Sequence, residues 1–425
     1  MQVEDDAVLE NAVLSREFLL ALPKSDLHVH LDGSVRPSTL IELARDYNIT
    51  LPANTEEGLY QTVFKERYAS LADYLKGFQY TCAVMQTEPA LERIAYELAL
   101  DNLDEGVRLL EVRFAPQLHM HHHLGFVPVL KAVDRGLRRA ADEFNSRPQI
   151  RSGKEPPFVF GLIVCAMRMF KEGFSEYYTN LLRAQQYAPP REVYSLASLE
   201  LVRAAVCARE QHGLPIVGFD LAGEEAGYPP DDHRAAYDFA HQNFMKKTVH
   251  AGEAYGPESI FQAITRLHAD RIGHGTFLMD PEMITDPTIT DRAGYVRALS
   301  QYIADRRVML EVCLTSNQQT IPALADLSSH SLRKQRDSRL SVSICTDNRT
   351  VSRTTVTREL ELAVKHLGFT FKDVRAVIMH GFKRSFYPGT YLSKRRYVRQ
   401  VLDYMQEIEK KFGAAIDGVP TSIAG

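Results

Sequence analysis

The 425-residue sequence has no tryptophan, only five cysteines and no excess of either charge. Nothing follows from the missing tryptophan. The cysteines (Cys82, Cys165, Cys207, Cys313 and Cys345) are odd in number and form no C-x-x-C pair. Cys165, Cys313 and Cys345 lie in strand-like runs and are expected as buried free thiols, which fits a reducing compartment. Lys and Arg number 50 against 54 Asp and Glu, a formal net charge of -4. That balance gives no electrostatic footprint for nucleic acid or an anionic membrane. Long apolar runs are also missing: the longest, Phe158 to Met167, is too short for the roughly 20 residues that span a bilayer. The start, Met1-Gln2-Val3-Glu4-Asp5-Asp6, is acidic, the reverse of a signal peptide's basic opening. These absences point to a soluble cytoplasmic protein with neither nucleic-acid nor membrane partners.

What is present is a series of polar residues at the ends of β-like runs. Asp26-Leu27-His28-Val29-His30 comes first. Side chains alternate faces along a strand, so His28 and His30 project to one side, close enough to share a metal ion. Thr248-Val249-His250-Ala251-Gly252-Glu253, Arg271-Ile272-Gly273-His274-Gly275 and Cys345-Thr346-Asp347-Asn348 follow.

Eight β-like runs are expected: Ser25–Leu31, Arg108–Phe114, Phe158–Ala166, Pro215–Leu221, Lys247–His250, Asp270–His274, Val308–Leu314 and Leu340–Thr346. Several are almost continuously apolar, as strands buried on both faces of a parallel sheet are. Helical patterns separate them: Val129, Val133, Leu137 and Ala141 form one stripe, and Ile260, Ile264 and Leu267 another, after Pro257 in a first turn. Eightfold β–α alternation implies an α/β fold of the (β/α)8 TIM-type barrel class. A doubly wound open sheet is the alternative, but the Gly-rich phosphate loop usual after its first strand is absent.

One domain is expected over 1–425, with a helical insertion at 34–105 after the first strand and a C-terminal helical extension at 391–425. The insertion shows at least three helical patterns, with three apolar stripes. These are Leu40, Leu43, Ala44 and Tyr47; Leu71, Tyr74, Leu75 and Phe78; and Leu91, Ile94, Ala95 and Leu98. Thr87 is the expected N-cap of the last, with Pro89 in its first turn and Gly106 beyond its end. This insertion and a second long connection, Phe277 to Val296, are lid candidates; the alternative is that they thicken the outer wall. Tyr397, Val401, Tyr404 and Ile408 form the stripe of the last helix. The run Lys394-Arg395-Arg396, with Arg399, is read as a solvated helix face.

Functional groups of such barrels sit at the C-terminal strand ends. His28 and His30 end the first run, His250 the fifth, His274 the sixth and Asp347 the eighth. Three imidazoles and one carboxylate can hold zinc with water in the remaining position, and zinc lowers the pKa of that water toward ~7. Glu253, in the turn above the fifth strand, is placed to transfer protons without binding metal. Its alternative is a first-turn helix residue favoured by the helix dipole. Two-metal sites built on an H-x-H strand commonly need a bridging lysine near the fourth strand's end. That end reads Phe219-Asp220-Leu221-Ala222-Gly223-Glu224-Glu225, with no lysine, so one metal is expected. The tract Leu118-His119-Met120-His121-His122-His123 lies near the mouth; it is read as a polar loop, with accessory metal binding as the alternative.

As an ordered set these segments resemble the adenosine deaminase family of metal-dependent hydrolases. The matching pieces are Leu27 to Gly33, Phe219 to Glu225, Val249 to Glu253, Ile272 to Gly275 and Thr346 to Asn348. The resemblance implies a (β/α)8 barrel and one zinc ion per chain, bound by His28, His30, His250 and Asp347. It implies a purine nucleoside substrate, attacked at C6 of adenine by zinc-held hydroxide while Glu253 protonates N1. His274 would orient or activate the water with Asp347 assisting, and ammonia would leave. His30, Asp32, Gly223 and Asn348 are the substrate-binding candidates: the Gly223 backbone for N3, Asp32 for a ribose hydroxyl and Asn348 for N7. Asn348 departs from the second aspartate that many members carry there; its amide can still donate to N7.

The implied reaction is deamination of adenosine, and of 2′-deoxyadenosine, to inosine products. Alternatives are a deaminase of a 5′-modified adenosine such as aminodeoxyfutalosine, another hydrolase on the same barrel, or a non-catalytic purine-binding protein. The H-x-E and P-C-x-x-C signature of cytidine-type deaminases is absent.

Overall fold

The computed structural model describes residues 14–413; the acidic start and the last twelve residues of the expected C-terminal extension lie outside them. Eight parallel strands follow one another in chain order around a barrel. They are β1 (Lys24–His30), β2 (Val107–Phe114), β3 (Val159–Met167), β4 (Ile216–Ala222), β5 (Lys246–Ala251), β6 (Arg271–His274), β7 (Met309–Val312) and β8 (Ser341–Ile344). The ring closes just beyond β8. There the His30 N–H donates to the Asp347 carbonyl at 2.7 Å, and the Asp347 N–H to the His28 carbonyl at 2.7 Å.

All eight expected runs are strands, with one correction of note. The seventh was expected to reach Leu314, but β7 stops at Val312 and a helix, Leu314–Thr320, starts at once. Leu314 is buried in that helix, so burial alone made it look like strand.

The barrel interior is not wholly apolar. Glu111 and Arg113 of β2, Asp220 of β4, Arg271 of β6 and Glu311 of β7 are buried and meet across it. Arg113 reaches Asp220 at 2.9 Å and Glu311 at 2.8 Å, while Arg271 reaches Glu111 at 2.5 Å and Glu311 at 2.6 Å. Each charge thus has an opposite partner, the condition on which ions are tolerated in an interior.

The insertion, expected to hold at least three helical patterns, contains five helices: Pro37–Asp46, Glu56–Thr62, Leu71–Leu75, Phe78–Val84 and Glu88–Asp104. Glu56–Thr62 buries Leu59 alone, which is too little to make a periodic stripe. The middle stripe breaks at Lys76 and Gly77 into two short helices. Thr87 caps the last helix, its side chain accepting from the Ala90 N–H, and Gly106 follows with φ +87°.

Two insertion helices lie over the strand ends. Tyr74 hydrogen-bonds Ser352 at 2.9 Å, and Cys82 Sγ lies 4.0 Å from Asp32. The second long connection packs against the turn after β5: the Phe277 N–H donates to the Gly252 carbonyl at 3.0 Å, the Thr285 and Asp286 N–H groups donate to Glu258, and its end at 292–296 is already helix. The last helix, Tyr391–Lys411, packs outside the barrel, where the Tyr397 hydroxyl donates to the Arg108 carbonyl at 2.6 Å. Arg395, Arg396 and Arg399 on it are exposed, and Arg399 pairs with Asp403 at 2.9 Å. Among the described residues no helix is long and apolar enough to cross a membrane. Cys165, Cys313 and Cys345 are buried, and all five cysteines are free.

Candidate active site

The strand ends bring His28, His30, His250 and Asp347 together, with one ligand atom of each within 4.8 Å of every other. His28 Nε2 and His30 Nε2 are each 3.5 Å from Asp347 Oδ1, and His30 Nε2 is 3.2 Å from His250 Nε2. His28 Nε2 is buried with no hydrogen-bond partner.

Carboxylates behind the rings set which nitrogen points inward. Glu311 takes the His28 Nδ1 side at 2.9 Å, and Asp220 takes the His250 Nδ1 side at 3.1 Å. With Nδ1–H donating outward, the Nε2 lone pairs face the centre, as histidines backed by carboxylates do in metal sites. An orphaned buried nitrogen and converging lone pairs beside a carboxylate fit a divalent metal, and this donor set suits zinc.

The charge states of three of the four agree with that. Burial, supported by neighbouring imidazoles and Arg113, holds His30 well below the usual histidine range. Burial lowers His250 as well, against the pull of Asp220. His28 is the exception: burial and Arg113 push it down, but Asp347 and Glu311 outweigh them and hold it up. Asp347 is the reverse; burial pushes it up, and the adjacent His28 with the other imidazoles around it bring it far below the aspartate range.

Backbone geometry is specialised here. His274 and Asp347 both adopt positive φ, at 64° and 62°, which side chains other than glycine seldom do. Gly273 must lack a side chain, since a Cβ there would stand 2.9 Å from His28 Cε1. Gly223, at the end of the fourth strand, takes φ +101°, which only glycine adopts without strain.

His274 and Glu253 form the adjoining pair, with His274 Nε2 3.7 Å from Glu253 Oε2. The Asn317 amide donates to His274 Nδ1 at 3.1 Å, while its oxygen lies 3.1 Å from the Thr276 hydroxyl and 3.2 Å from His330 Nε2. That network fixes the amide's orientation and so assigns the neutral His274 proton to Nε2, facing the site. Burial, with the neighbouring imidazoles, holds His274 well below the histidine range, so the ring is neutral. Burial, then the Asp347 and Glu225 charges, push Glu253 well above the glutamate range, favouring its protonated form.

Of the other expected residues, Asp32 is buried with Oδ1 unpartnered and 4.0 Å from His30 Nδ1. Burial pushes its carboxyl up to about 7, with Asp347 adding to the rise. Asn348 is buried, and its Nδ2 donates to Tyr74 at 2.8 Å. The histidine tract stands apart. His121 Nε2 meets the Gln86 carbonyl and His122 Nδ1 meets Glu176, both at 3.0 Å. Among the described residues the only cluster fit for a metal is the strand-end one.

A sequence profile described as adenosine deaminase matches residues 23–191 and 189–404. Adenosine deaminase 1 of Streptomyces coelicolor is 34% identical over 371 residues, covering 86% of this chain and 83% of that protein. The chain belongs to the adenosine deaminase family. It is accordingly a hydrolase that removes the amino group of an adenine ring. Solved structures share the fold. A zinc-bound amidohydrolase from Burkholderia ambifaria superposes with TM-score 0.73 at 21% identity, covering 95% of each chain. Arabidopsis ADAL complexed with GMP superposes with TM-score 0.69 at 24% identity, covering 91% of this chain and 98% of that one.

Within the deaminase site, sequence reasoning missed Glu311, Asp220, Asn317 and Glu225. A lone carboxylate in the apolar run Met309-Leu310-Glu311-Val312 was the available signal for the first. Asp220 and Glu225 stood inside a quoted motif without a role. Nothing marks Asn317 in the sequence.

Proposed function

We propose that the chain hydrolyses adenosine and 2′-deoxyadenosine to inosine products and ammonia, using one zinc ion held by His28, His30, His250 and Asp347. The observation that carries this reading is the convergence of those four side chains beside the buried pair Glu253 and His274. A divalent ion there supplies Lewis-acid activation of water near neutral pH.

The protein's own groups do the rest. Glu253, favoured in its protonated form, gives its proton to N1, which draws electrons from C6 and opens it to attack. The His274 Nε2–H orients the attacking water on the face opposite the departing amino group, and Asp347 accepts a hydrogen bond from the same water. The water's two protons complete the balance: one passes to the exocyclic amine, which leaves as ammonia, and the other restores Glu253 as C6 becomes a carbonyl. The Gly223 backbone approaches N3, Asp32 receives a ribose hydroxyl and the Asn348 amide faces N7. Asp32 also disfavours a 5′-phosphate in its ionised form, since two anions would then face each other. Nucleotide-complexed ADAL supports a purine as the ligand class. Five free thiols, three of them buried, support a reducing cytoplasmic setting.

The test is ammonia release by the zinc-loaded protein from adenosine, 2′-deoxyadenosine, adenine, AMP and aminodeoxyfutalosine. Fastest turnover of the two unmodified nucleosides supports the reading. A preference for AMP or aminodeoxyfutalosine replaces the substrate, and turnover of none overturns the function.

A further inference from the structure

The Glu253 carboxyl has no hydrogen-bond partner among the described residues, so its position is inherited from its main chain. That main chain, residues 252–255, belongs to neither strand nor helix. The Gly252 carbonyl accepts from the Phe277 N–H at 3.0 Å, and all four N–H groups of the turn are held by one side chain from the neighbouring strand end. Glu225 Oε2 accepts the N–H groups of Glu253 at 3.0 Å, Ala254 at 2.6 Å and Tyr255 at 3.0 Å. Its Oε1 accepts the Gly252 N–H at 3.0 Å and the Ser259 hydroxyl at 2.6 Å. Glu225 is buried, and five donors converge on it.

We propose that Glu225 is a positioning residue for catalysis, clamping the turn that carries Glu253 so that its carboxyl stands where N1 of the bound purine will be. The inference rests on the proton-donor reading of Glu253. A carboxylate satisfied by five donors is an acceptor only, so Glu225 is not itself the acid. Ionised acceptors make the stronger hydrogen bonds, and four successive N–H groups leave the turn little freedom. Ser259, in the helix Pro257–Thr265, ties the same carboxylate to the element after the turn. Geometry matters because a displacement of about 1 Å at a reacting group can cost ~10²-fold in rate.

The experiment compares the zinc-loaded full-length enzyme with Glu225→Ala, Glu225→Gln, Glu253→Gln and the double variant Glu225→Ala/Glu253→Gln. The readouts are kcat and KM for adenosine, inhibition by inosine, and metal content. Glu225→Ala should lower kcat by about 10²-fold, and Glu225→Gln, which keeps one acceptor oxygen, by about tenfold. KM, inosine inhibition and metal content should stay within about twofold of the parent. In the Glu253→Gln background, Glu225→Ala should cost less than about twofold, since the group it positions is already gone. Equal losses in both backgrounds, an intact kcat, or loss of metal in Glu225→Ala and Glu225→Gln would overturn the proposal. A near-normal Glu253→Gln enzyme would instead remove the acid role, and the clamp's purpose with it.

Discussion

Glu253→Gln keeps every candidate metal ligand and removes the transferable proton. Metal content should be unchanged and kcat should fall by ~10²–10⁴-fold, the usual contribution of a placed acid. His28→Ala should lose the metal itself, as elemental analysis would show. Between these extremes lies Glu311→Gln, which leaves all four ligands but removes the charge behind the His28 ring. Its metal affinity should weaken by about 10–100-fold in a chelator competition, since carboxylates behind ligating histidines carry that much. At this scale the ligand positions were legible because polar residues are conspicuous at the ends of apolar runs. Their supports were not. Whether Glu311 faces the barrel axis or a helix depends on strand rotation, and Asn317 became a partner of His274 only because β7 ends early.

At the scale of elements, the insertion helices Leu71–Leu75 and Phe78–Val84 touch the site with side chains, Tyr74 and Cys82, whereas the Phe277–Val296 connection meets the back of the turn after β5, through the Gly252 carbonyl and Glu258. Amide hydrogen exchange should therefore slow in residues 71–84 when inosine binds, with a smaller change at 277–291. Equal protection of both, or of neither, would contradict a selective lid. All eight strands were legible because a parallel barrel buries both faces and leaves apolar runs. Helices that bury one side chain, as Glu56–Thr62 does with Leu59, leave no periodic trace. The ionic barrel interior was illegible for another reason: Arg113 and Arg271 resemble surface charges until the closed sheet brings Glu111, Asp220 and Glu311 to them.

Across the whole molecule, buried histidines outside the site each pull stability down toward acid. Burial lowers His119 and His233 to about 3 and His330 to about 4. In the unfolded chain these rings titrate near ~6.5, so between about pH 4 and 6.5 the unfolded state binds more protons and stability falls as pH falls. Glu359, Asp32 and Asp26, raised by burial to about 7, about 7 and about 6, and Glu253, raised well above its range, act in the opposite sense over part of this window. The clean comparison is thus parent against His119→Leu in urea unfolding at several pH values. The variant's stability should decline less steeply toward acid, by up to about 1.4 kcal/mol per pH unit, one proton's worth. Parallel curves would contradict the assignment.

The claim on which the molecule's function turns is a single metal gathered by four distant side chains. Its most direct test is a back-titration: the chelator-stripped enzyme is given zinc in steps while ammonia release from adenosine is followed. Activity should be absent at the start, rise linearly and level off at one equivalent per chain. Full activity without metal, or a plateau reached only at two equivalents, would contradict it.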